Sequence, residues 1–505
     1  MTDKERTIPN NQDFDLLLET LVDDPLPTEI SPWKKAMDRV LWGVGLTTIT
    51  LNFWNLDTIL PGLGLIMALL GFRSLRKDNP WFSLGYILSV IRVIWFVLCL
   101  FLQSTVYAGE QHIREILQIG SYLMVIPGFL VLLSLRNGIR RVQIKAGLSA
   151  HGGTGLVIWY GIVLILGLLS YTGIAGWGLM VAYIFIIRNL ISLSGELEKA
   201  GYLISPAPVR WGDLTVKIIY TATILISLLI GYCFCSHHPM NWQEYTPHET
   251  AATTEIKQQL TELGFPKYVL EDMTEDEIAA LDGADFIIVN GHDYDVEQNA
   301  PILTPEEIAA KRMNGITEEE GQRQLRTTFI GVRFRGDEER WTIIHHFMWL
   351  TDRKFCGTEA IQMWPTDHVE GWHRTGDFRG RVLYDIDDIT YTSNYHSLGE
   401  ITYETKDLAA TMFGQTSSTD VYATFSLPSG DKNQRGYVLY DVEEVADGYI
   451  IDSWFNYVHQ NHPLQFPVQS AKEYKMTSFL DSRNIFTTIQ TALQFTTHED
   501  IPAPF

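Results

Sequence analysis

Residues 81–104, WFSLGYILSVIRVIWFVLCLFLQS, decide the fold of this chain. The stretch exceeds the roughly 20 apolar residues that an α-helix needs to cross a bilayer, and its only charged residue is Arg92. Other apolar runs lie at about 40–55, 58–72, 116–135, 154–171, 174–193 and 215–235. The sequence therefore predicts a transmembrane domain of about seven helices over residues 37–235.

The first two runs are short for spans. A turn at Asn55-Leu56-Asp57, with Pro61 just after it, predicts that they form a tight hairpin, either fully spanning or re-entrant. In both cases the chain returns to the side from which it started, so the orientation of the later helices does not depend on the choice.

The short segments between the runs alternate sharply in Lys and Arg content. Those on one side contain 13 basic residues, namely Lys34, Lys35, Arg39, Arg73, Arg76, Lys77, Arg136, Arg140, Arg141, Lys145, Lys199, Arg210 and Lys217. Those on the other side contain only Arg114. Because basic loops are retained in the cytoplasm, we expect a multi-pass protein of the cell membrane with a cytoplasmic amino terminus and an extracytoplasmic carboxyl-terminal half.

Charge divides the chain in the same way. Residues 1–235 contain 18 Lys and Arg against 16 Asp and Glu, whereas residues 236–505 contain 20 against 44. So acidic a second half is expected to repel nucleic acid. Residues 1–36, a polar tail without a basic-then-apolar start, predict no cleavable signal peptide.

The polar half begins with a linker, residues 236–252, and a helical section, residues 253–325. Ile256, Leu260 and Leu263 recur at helical spacing and end at Gly264, a favourable residue after a helix. A strand is expected at residues 286–289. Capping boxes predict further short helices at three places, Thr274 with Glu277, Thr304 with Glu307, and Thr317 with Glu320.

Residues 326–505 have the two-residue periodicity of strands. Strands are predicted at 328–334, 341–349, 381–391, 421–427, 436–444 and 449–458, and a closing helix at 483–495. The predicted fold is thus a multi-span α-helical membrane bundle followed by an α+β extracytoplasmic domain, with short helices and then a mainly antiparallel β-sheet or sandwich.

Arg92 is the candidate functional charge of the membrane half. At roughly 1.5 Å per residue it lies about 16 Å down a helix that starts near Trp81, close to mid-bilayer, and an intramembrane arginine is a functional-site candidate by default. The alternative is structural, with Arg92 facing the bundle interior and bonding carbonyls of the hairpin or Asp57.

The polar half offers few metal-ligand candidates. His292, Asp293 and Asp295 have ligand types at loop spacing, and Asp385 and Asp387 would share one face of a strand. Calcium accepts such oxygens, but its loops have more ligands and a defining glycine, so a solvated acidic face is the alternative. We therefore predict no metal site and no cofactor.

Histidine and aromatic residues are the other candidates. His345 and His346 would point to opposite faces of a strand, which disfavours a shared metal. An aromatic platform for a sugar or peptide competes with core filling for a group comprising Trp349, Trp364, Trp372, Trp454, Phe455 and Tyr457. We find no H-E-x-x-H, G-x-S-x-G, Walker-A or G-x-G-x-x-G pattern, and no catalytic residue is predicted.

Three functions remain open. The leading hypothesis is a membrane-anchored protein whose external domain binds or senses an envelope or extracellular ligand, with the lipid bilayer as its other partner. The second is a transporter or transporter subunit that uses the bundle and Arg92. The third is an envelope enzyme with a site among His292, Asp293, Asp385 and Asp387. The layout suggests a bacterial protein, although no motif carries that inference.

Overall fold

The chain divides into two compact units. We call them the helical unit, Met1–Leu100 with Glu115–Ser227, and the β unit, Phe101–Arg114 with Leu228–Phe505. The computed structural model describes residues 32–48, 54–150, 152–168, 173–200, 202, 204, 207–247, 250–303, 322–336, 338–351, 355, 357–405, 416–428, 430, 432–446, 448–463, 465–477 and 485–497.

Helices dominate the first half. They are α1 (Pro32–Thr48), α2 (Leu56–Leu75), α3 (Pro80–Gln103), α4 (Gln111–Lys145), α5 (Thr154–Leu168), α6 (Gly173–Lys199) and α7 (Asp213–Cys235). Among the described residues, five helices are long and apolar enough to cross a membrane, namely α2, α3, α4, α6 from Gly178 onward, and α7. This finding fits a multi-pass membrane protein. The apolar helix α5 is described over only 15 residues.

Helices α1 and α2 pack against each other, and glycines bring them close together. A Cβ on Gly43 would lie 2.5 Å from the backbone nitrogen of Ala68, and one on Gly64 would lie 2.6 Å from the carbonyl oxygen of Gly43. Because both obstacles are backbone atoms, only glycine fits at this helix contact.

Short helices open the polar half. They are α8 (Ala251–Glu262), α9 (Lys267–Asp272) and α10 (Glu275–Ala279). The predicted capping box of Thr274 and Glu277 starts α10, and Gly264 follows α8 with a φ of 99°. The boxes predicted at Thr304 and Thr317 lie outside the described residues.

The strands form two antiparallel sheets. One has the order β1-β8-β7-β11-β5-β4-β2-β3 and the other β13-β12-β6-β10-β9. The strands are β1 (Gln243–Glu244), β2 (Phe286–Asp295), β3 (Ala300–Pro301), β4 (Leu325–Phe334), β5 (Arg340–Trp349), β6 (Glu359–Trp364), β7 (Trp372–Ile386), β8 (Ile389–Asn394), β9 (Ser397–Thr405), β10 (Thr416–Phe425), β11 (Lys432–Glu444), β12 (Ile450–Gln460) and β13 (Phe486–Thr496), with helix α11 (Ala471–Thr477) before the last strand.

The eight-stranded sheet is covered on both faces at its centre. One face packs against the five-stranded sheet, as in the contact of Phe347 with Tyr457, whose ring centroids are 4.8 Å apart. The other face packs against α8–α10 through residues such as Leu260 and Val269. This double burial explains why β4 and β5 are buried along nearly their whole length.

Residues 483–495 were expected to form a helix, and this prediction is wrong. Phe486–Thr496 is strand β13, which pairs along its length with β12. Ile485, Ile489 and Leu493 are four residues apart, so they share one face in a helix and also in a strand. The spacing could not distinguish the two structures.

Candidate functional site

A cavity of about 820 Å³ lies at one end of the β-sandwich, where the end of β5 meets the end of β12. Small-molecule sites occupy roughly 300–1,000 Å³, so the volume suits a ligand of that size. The described lining residues are Val296, Glu297, Asn299, Gln322, Gln324, Trp349, Thr351, His459, Asn461, His462, Tyr474, Phe486, Thr487 and Thr488.

His459 lines the cavity and forms a buried pair with Glu359. The register of β12 against β6 sets them opposite each other, and His459 Nδ1 lies 2.8 Å from Glu359 Oε1. In a neutral imidazole, a carboxylate at Nδ1 favours the tautomer that carries its proton there, and Nε2 is then an acceptor. Among the described residues Nε2 has no hydrogen-bond partner, so it is available to a ligand.

Trp349 fixes the position of the His459 ring. The two ring centroids are 4.8 Å apart, and Trp349 Nε1 donates a hydrogen bond of 3.0 Å to the Tyr457 hydroxyl. Because the indole is held at both its face and its nitrogen, this wall is formed before any ligand arrives.

The turn after β2 forms the opposite rim. Asp295 accepts hydrogen bonds from the backbone nitrogens of Gln298, at 3.0 Å, and Gln322, at 2.9 Å. Gln324 Oε1 accepts from the backbone nitrogens of Val296, at 2.7 Å, and Glu297, at 3.2 Å. These bonds use the polar side chains of Asp295 and Gln324 to hold the rim in one conformation.

Helix α11 closes the cavity on a third side. Ser470 and Glu473 cap it, with the backbone nitrogen of Ser470 2.8 Å from Glu473 Oε2 and that of Glu473 3.3 Å from Ser470 Oγ. The ring of Tyr474 stacks on Phe486 with the centroids 4.6 Å apart. Tyr474 thus presents an ordered aromatic side chain to the cavity.

The same helix also contacts the segment between α3 and α4. The backbone nitrogen of Val468, just before α11, donates to the carbonyl oxygen of Gln103 at 2.8 Å. A Cβ on Gly109 would overlap the Glu473 carboxyl, and burial raises the pKa of that carboxyl. Burial likewise lowers the pKa of Lys472. The helix therefore lies between the cavity and residues 103–110.

The acids predicted around Gly291 do not form a calcium loop. Residues 291–295 belong to strand β2 rather than to a loop. Asp293 binds Arg326 through two hydrogen bonds of 2.8 and 3.1 Å, which raise the pKa of that arginine. His292 is an exposed strand residue, and Asp295 organises the cavity rim.

Asp385 and Asp387 do not share a strand face. Asp387 and Asp388, with φ of 47° and 67°, form a two-residue turn between Ile386 and Ile389, which are paired. Asp385 accepts hydrogen bonds from side chains of β8 and β11. Within the described residues, no group of three or more His, Cys, Asp and Glu side chains could hold a metal ion.

The two adjacent histidines of β5 point to opposite faces, as predicted, and both are buried. His345 faces the sandwich core with Nε2 2.8 Å from Ser453 Oγ, and burial lowers its pKa to about 3. His346 faces the short helices with Nε2 2.9 Å from Asp272 Oδ2. No metal is needed to explain either side chain.

Asp272 is the centre of a buried charge cluster outside the cavity. Arg435 Nε donates to Asp272 Oδ1 at 2.6 Å, and Arg435 Nη1 donates to Asp385 Oδ1 at 3.0 Å. Arg381 Nε donates to the carbonyl oxygen of Asp272 at 2.9 Å. Arg435 thus lies between two carboxylates, and the cluster joins the end of α9 to β5, β7 and β11.

Arg92 lies half-buried in the middle of α3. Its guanidinium is close enough to the Tyr160 hydroxyl of α5 to interact electrostatically. No hydrogen bond from Arg92 to Asp57 or to hairpin carbonyls occurs among the described residues. The functional and the structural interpretations of this arginine both remain predictions.

Of the aromatic residues predicted as a platform, only Trp349 lines the cavity. Phe455 and Tyr457 fill the core, and the indoles of Trp364 and Trp372 donate to Asp420 and to the carbonyl of Ile450. The sequence analysis missed His459, Glu359 and Tyr474. No local signal identifies the first two as a pair, because strand register alone brings them together.

No protein-family model matches the chain, no curated protein is similar enough to count as a match, and no solved structure does either. The function must therefore be argued from the cavity and its surroundings.

Proposed function

We propose that the protein is a multi-pass membrane protein whose β unit faces the outside and binds a small envelope or extracellular ligand in the cavity beside His459. The observation that carries this proposal is the cavity with His459 Nε2 in its wall, a nitrogen that has no hydrogen-bond partner among the described residues. Among the described lining residues there is no serine or cysteine nucleophile, so the pair with Glu359 favours hydrogen bonding to a ligand over covalent catalysis.

The distribution of basic residues supports the orientation. If the basic stretches Arg73 to Lys77 and Arg136 to Lys145 stay in the cytoplasm, the chain crosses the membrane an odd number of times before the segment after Cys235. The strongly acidic β unit then lies outside, where its charge keeps it soluble and away from anionic lipid.

Thiol labelling in intact cells tests this orientation. In a chain whose natural cysteines are replaced, Val445→Cys, at a side chain that is 65% exposed, is expected to react with a membrane-impermeant reagent. Ser149→Cys, on the predicted cytoplasmic side, is the matched control and should react only after gentle permeabilisation. The reverse pattern would place the β unit in the cytoplasm and refute the orientation.

Helix α11 supports a sensing role. It carries Tyr474 at the cavity, and its cap residue Glu473 packs on Gly109 in the segment between two apolar helices. A ligand that displaces Tyr474 has to move a helix that contacts this segment. We infer that occupancy of the cavity is transmitted to residues 103–110.

A tethered adduct tests transmission without knowledge of the ligand. Thr488→Cys in the full-length, otherwise cysteine-free chain would be reacted with a bulky thiol reagent, which occupies the cavity covalently. Hydrogen exchange of residues 103–110 is expected to change. Tyr449→Cys, at an exposed position outside the cavity lining, is the control, and an equal effect from both adducts, or none from either, would contradict the proposal.

Transport is the second candidate, and Arg92 is the observation that favours it. A half-buried guanidinium in an apolar helix costs about 2.5 kcal/mol or more on insertion scales, and such a charge is therefore a candidate functional residue. Arg92→Gln is expected to abolish uptake of a transported solute while the chain still accumulates in the membrane. Unchanged uptake would leave Arg92 a structural residue.

A further inference from the structure

The described part of the cavity lining is almost uncharged. Among its described residues there is no lysine or arginine, and the single acid, Glu297, is on the exposed rim. The surrounding half of the chain carries 44 acidic against 20 basic residues. An anionic ligand would meet no cation among the described lining residues and would be repelled by the net charge of the domain.

The polar groups of the lining are amides, hydroxyls and imidazoles. Asn299, Gln322, Thr351 and Thr488 line the cavity, and their side chains have no hydrogen-bond partner among the described residues. Amide and hydroxyl groups together supply donors and acceptors. Such a set matches a ligand whose own groups both donate and accept, and hydroxyl groups have this property.

The aromatic part of the lining suits a ligand with an apolar face. Tyr474 is backed by Phe486 and only half-buried, so part of its ring remains open to the cavity. Aromatic rings bind through large apolar area with a polar tip. A sugar ring has C–H groups on its faces and hydroxyls around its edge, and His459 Nε2 can accept a hydrogen bond from one of these hydroxyls.

We propose that the ligand is an uncharged, hydroxyl-rich compound of the saccharide class. This proposal rests on the proposed binding function and adds its ligand chemistry. Tyr474 provides the stacking surface, His459 accepts from a ligand hydroxyl, and Gln322, Asn299 and Thr488 bond to the remaining hydroxyls.

Binding of defined oligosaccharides to the full-length chain in lipid nanodiscs tests the proposal. Glycoside detergents are avoided, since their headgroups would compete. The probes are cellotetraose, maltotetraose and chitotetraose, with tetragalacturonate, choline and trialanine as acidic, cationic and peptide comparisons. We expect saturable binding of at least one neutral tetrasaccharide, measured by calorimetry.

Variants identify the site. Tyr474→Ala should weaken that binding at least tenfold, about 1.4 kcal/mol, whereas Tyr474→Phe, which keeps the stacking ring, should remain close to the original affinity. Tyr449→Ala, at an exposed tyrosine outside the cavity lining, is the control and should bind normally.

Three results would overturn the saccharide proposal. They are binding of only the acidic, cationic or peptide probe, neutral binding that Tyr474→Ala leaves unchanged, and binding of no probe at all. If the tethered adduct at residue 488 still changes the hydrogen exchange of residues 103–110, only the ligand class is wrong. If the adduct leaves that exchange unchanged, the proposed sensing function is refuted as well.

Discussion

Arg435→Met should destabilise the β unit strongly, because it removes the cation between two acids. The Arg435 side chain is 12% exposed and that of its partner Asp272 is 2% exposed. Removing one member of a buried ion pair leaves an uncompensated charge and typically costs about 3–5 kcal/mol. His346 still contacts Asp272, so we expect about 3 kcal/mol, the lower end of that range.

Hydrogen exchange of the full-length chain measures this loss. Since each 1.4 kcal/mol corresponds to a factor of ten, amides of β5 and β11 should exchange about 100-fold faster in Arg435→Met. Arg379→Met is the matched control, because the Arg379–Asp441 pair is 38% and 27% exposed. Surface pairs contribute about 0–1 kcal/mol, so this variant should accelerate exchange by less than about fivefold.

A second substitution checks the physical reason. Adding Asp272→Asn to Arg435→Met removes the buried lone carboxylate, so part of the lost protection should return. If Arg435→Met behaves like Arg379→Met, or if the added Asp272→Asn makes the loss larger, the buried-charge reasoning is refuted.

Three further predictions concern other parts of the chain. Burial holds the pKa of His345 at about 3, against about 6.5 in the unfolded state. Because the unfolded state binds more protons below pH 6.5, the free energy of unfolding should decrease by about 2 kcal/mol when the pH is lowered from 7 to 5. His345→Gln should remove this part of the pH dependence of hydrogen exchange in β5. An unchanged pH dependence in the variant would contradict the role assigned to His345. Gly109→Val should increase exchange in α11, because its side chain would displace Glu473; unchanged exchange would refute the contact. Gly43→Val should reduce the yield of folded protein in membranes, whereas Gly45→Val, which has open space around it, should not; equal yields would refute tight packing of α1 on α2.

Much of the fold could be predicted because burial imposes a period on the sequence. Residues 328–334 and 341–349 lie in β4 and β5, which pair antiparallel with Phe334 opposite Arg340. The long apolar runs predicted about seven helices, and five of the described helices are long and apolar enough to cross a membrane. These features are local, so they are visible without knowing which elements meet.

Other features depend on backbone details that composition does not reveal. Residues 381–391 were expected as one strand, but Asp387 and Asp388 adopt left-handed conformations and turn the chain back. Asp is one of the few residues that tolerate this conformation. The pair of acids could therefore be interpreted as strand ligands or as a turn, and the sequence favoured the wrong choice.

The candidate site was largely hidden from sequence reasoning. Trp349 was named, but as one of several aromatics without a distinguishing feature. Glu359 and His459 lie in strands that are far apart along the chain, and β6 was not predicted at all. Their pairing depends on the register of β6 against β12, which is set by the packing of the whole sandwich.

The contact between Gln103 and Val468 has a consequence for biosynthesis. Gln103 leaves the ribosome early, whereas Val468 and strand β13 are translated near the end of the chain. Until then the segment after α3 lacks this partner, and one edge of β12 is unpaired. Open strand edges promote association with other chains, so a prematurely terminated copy of this protein should be a substrate for chaperones and proteases.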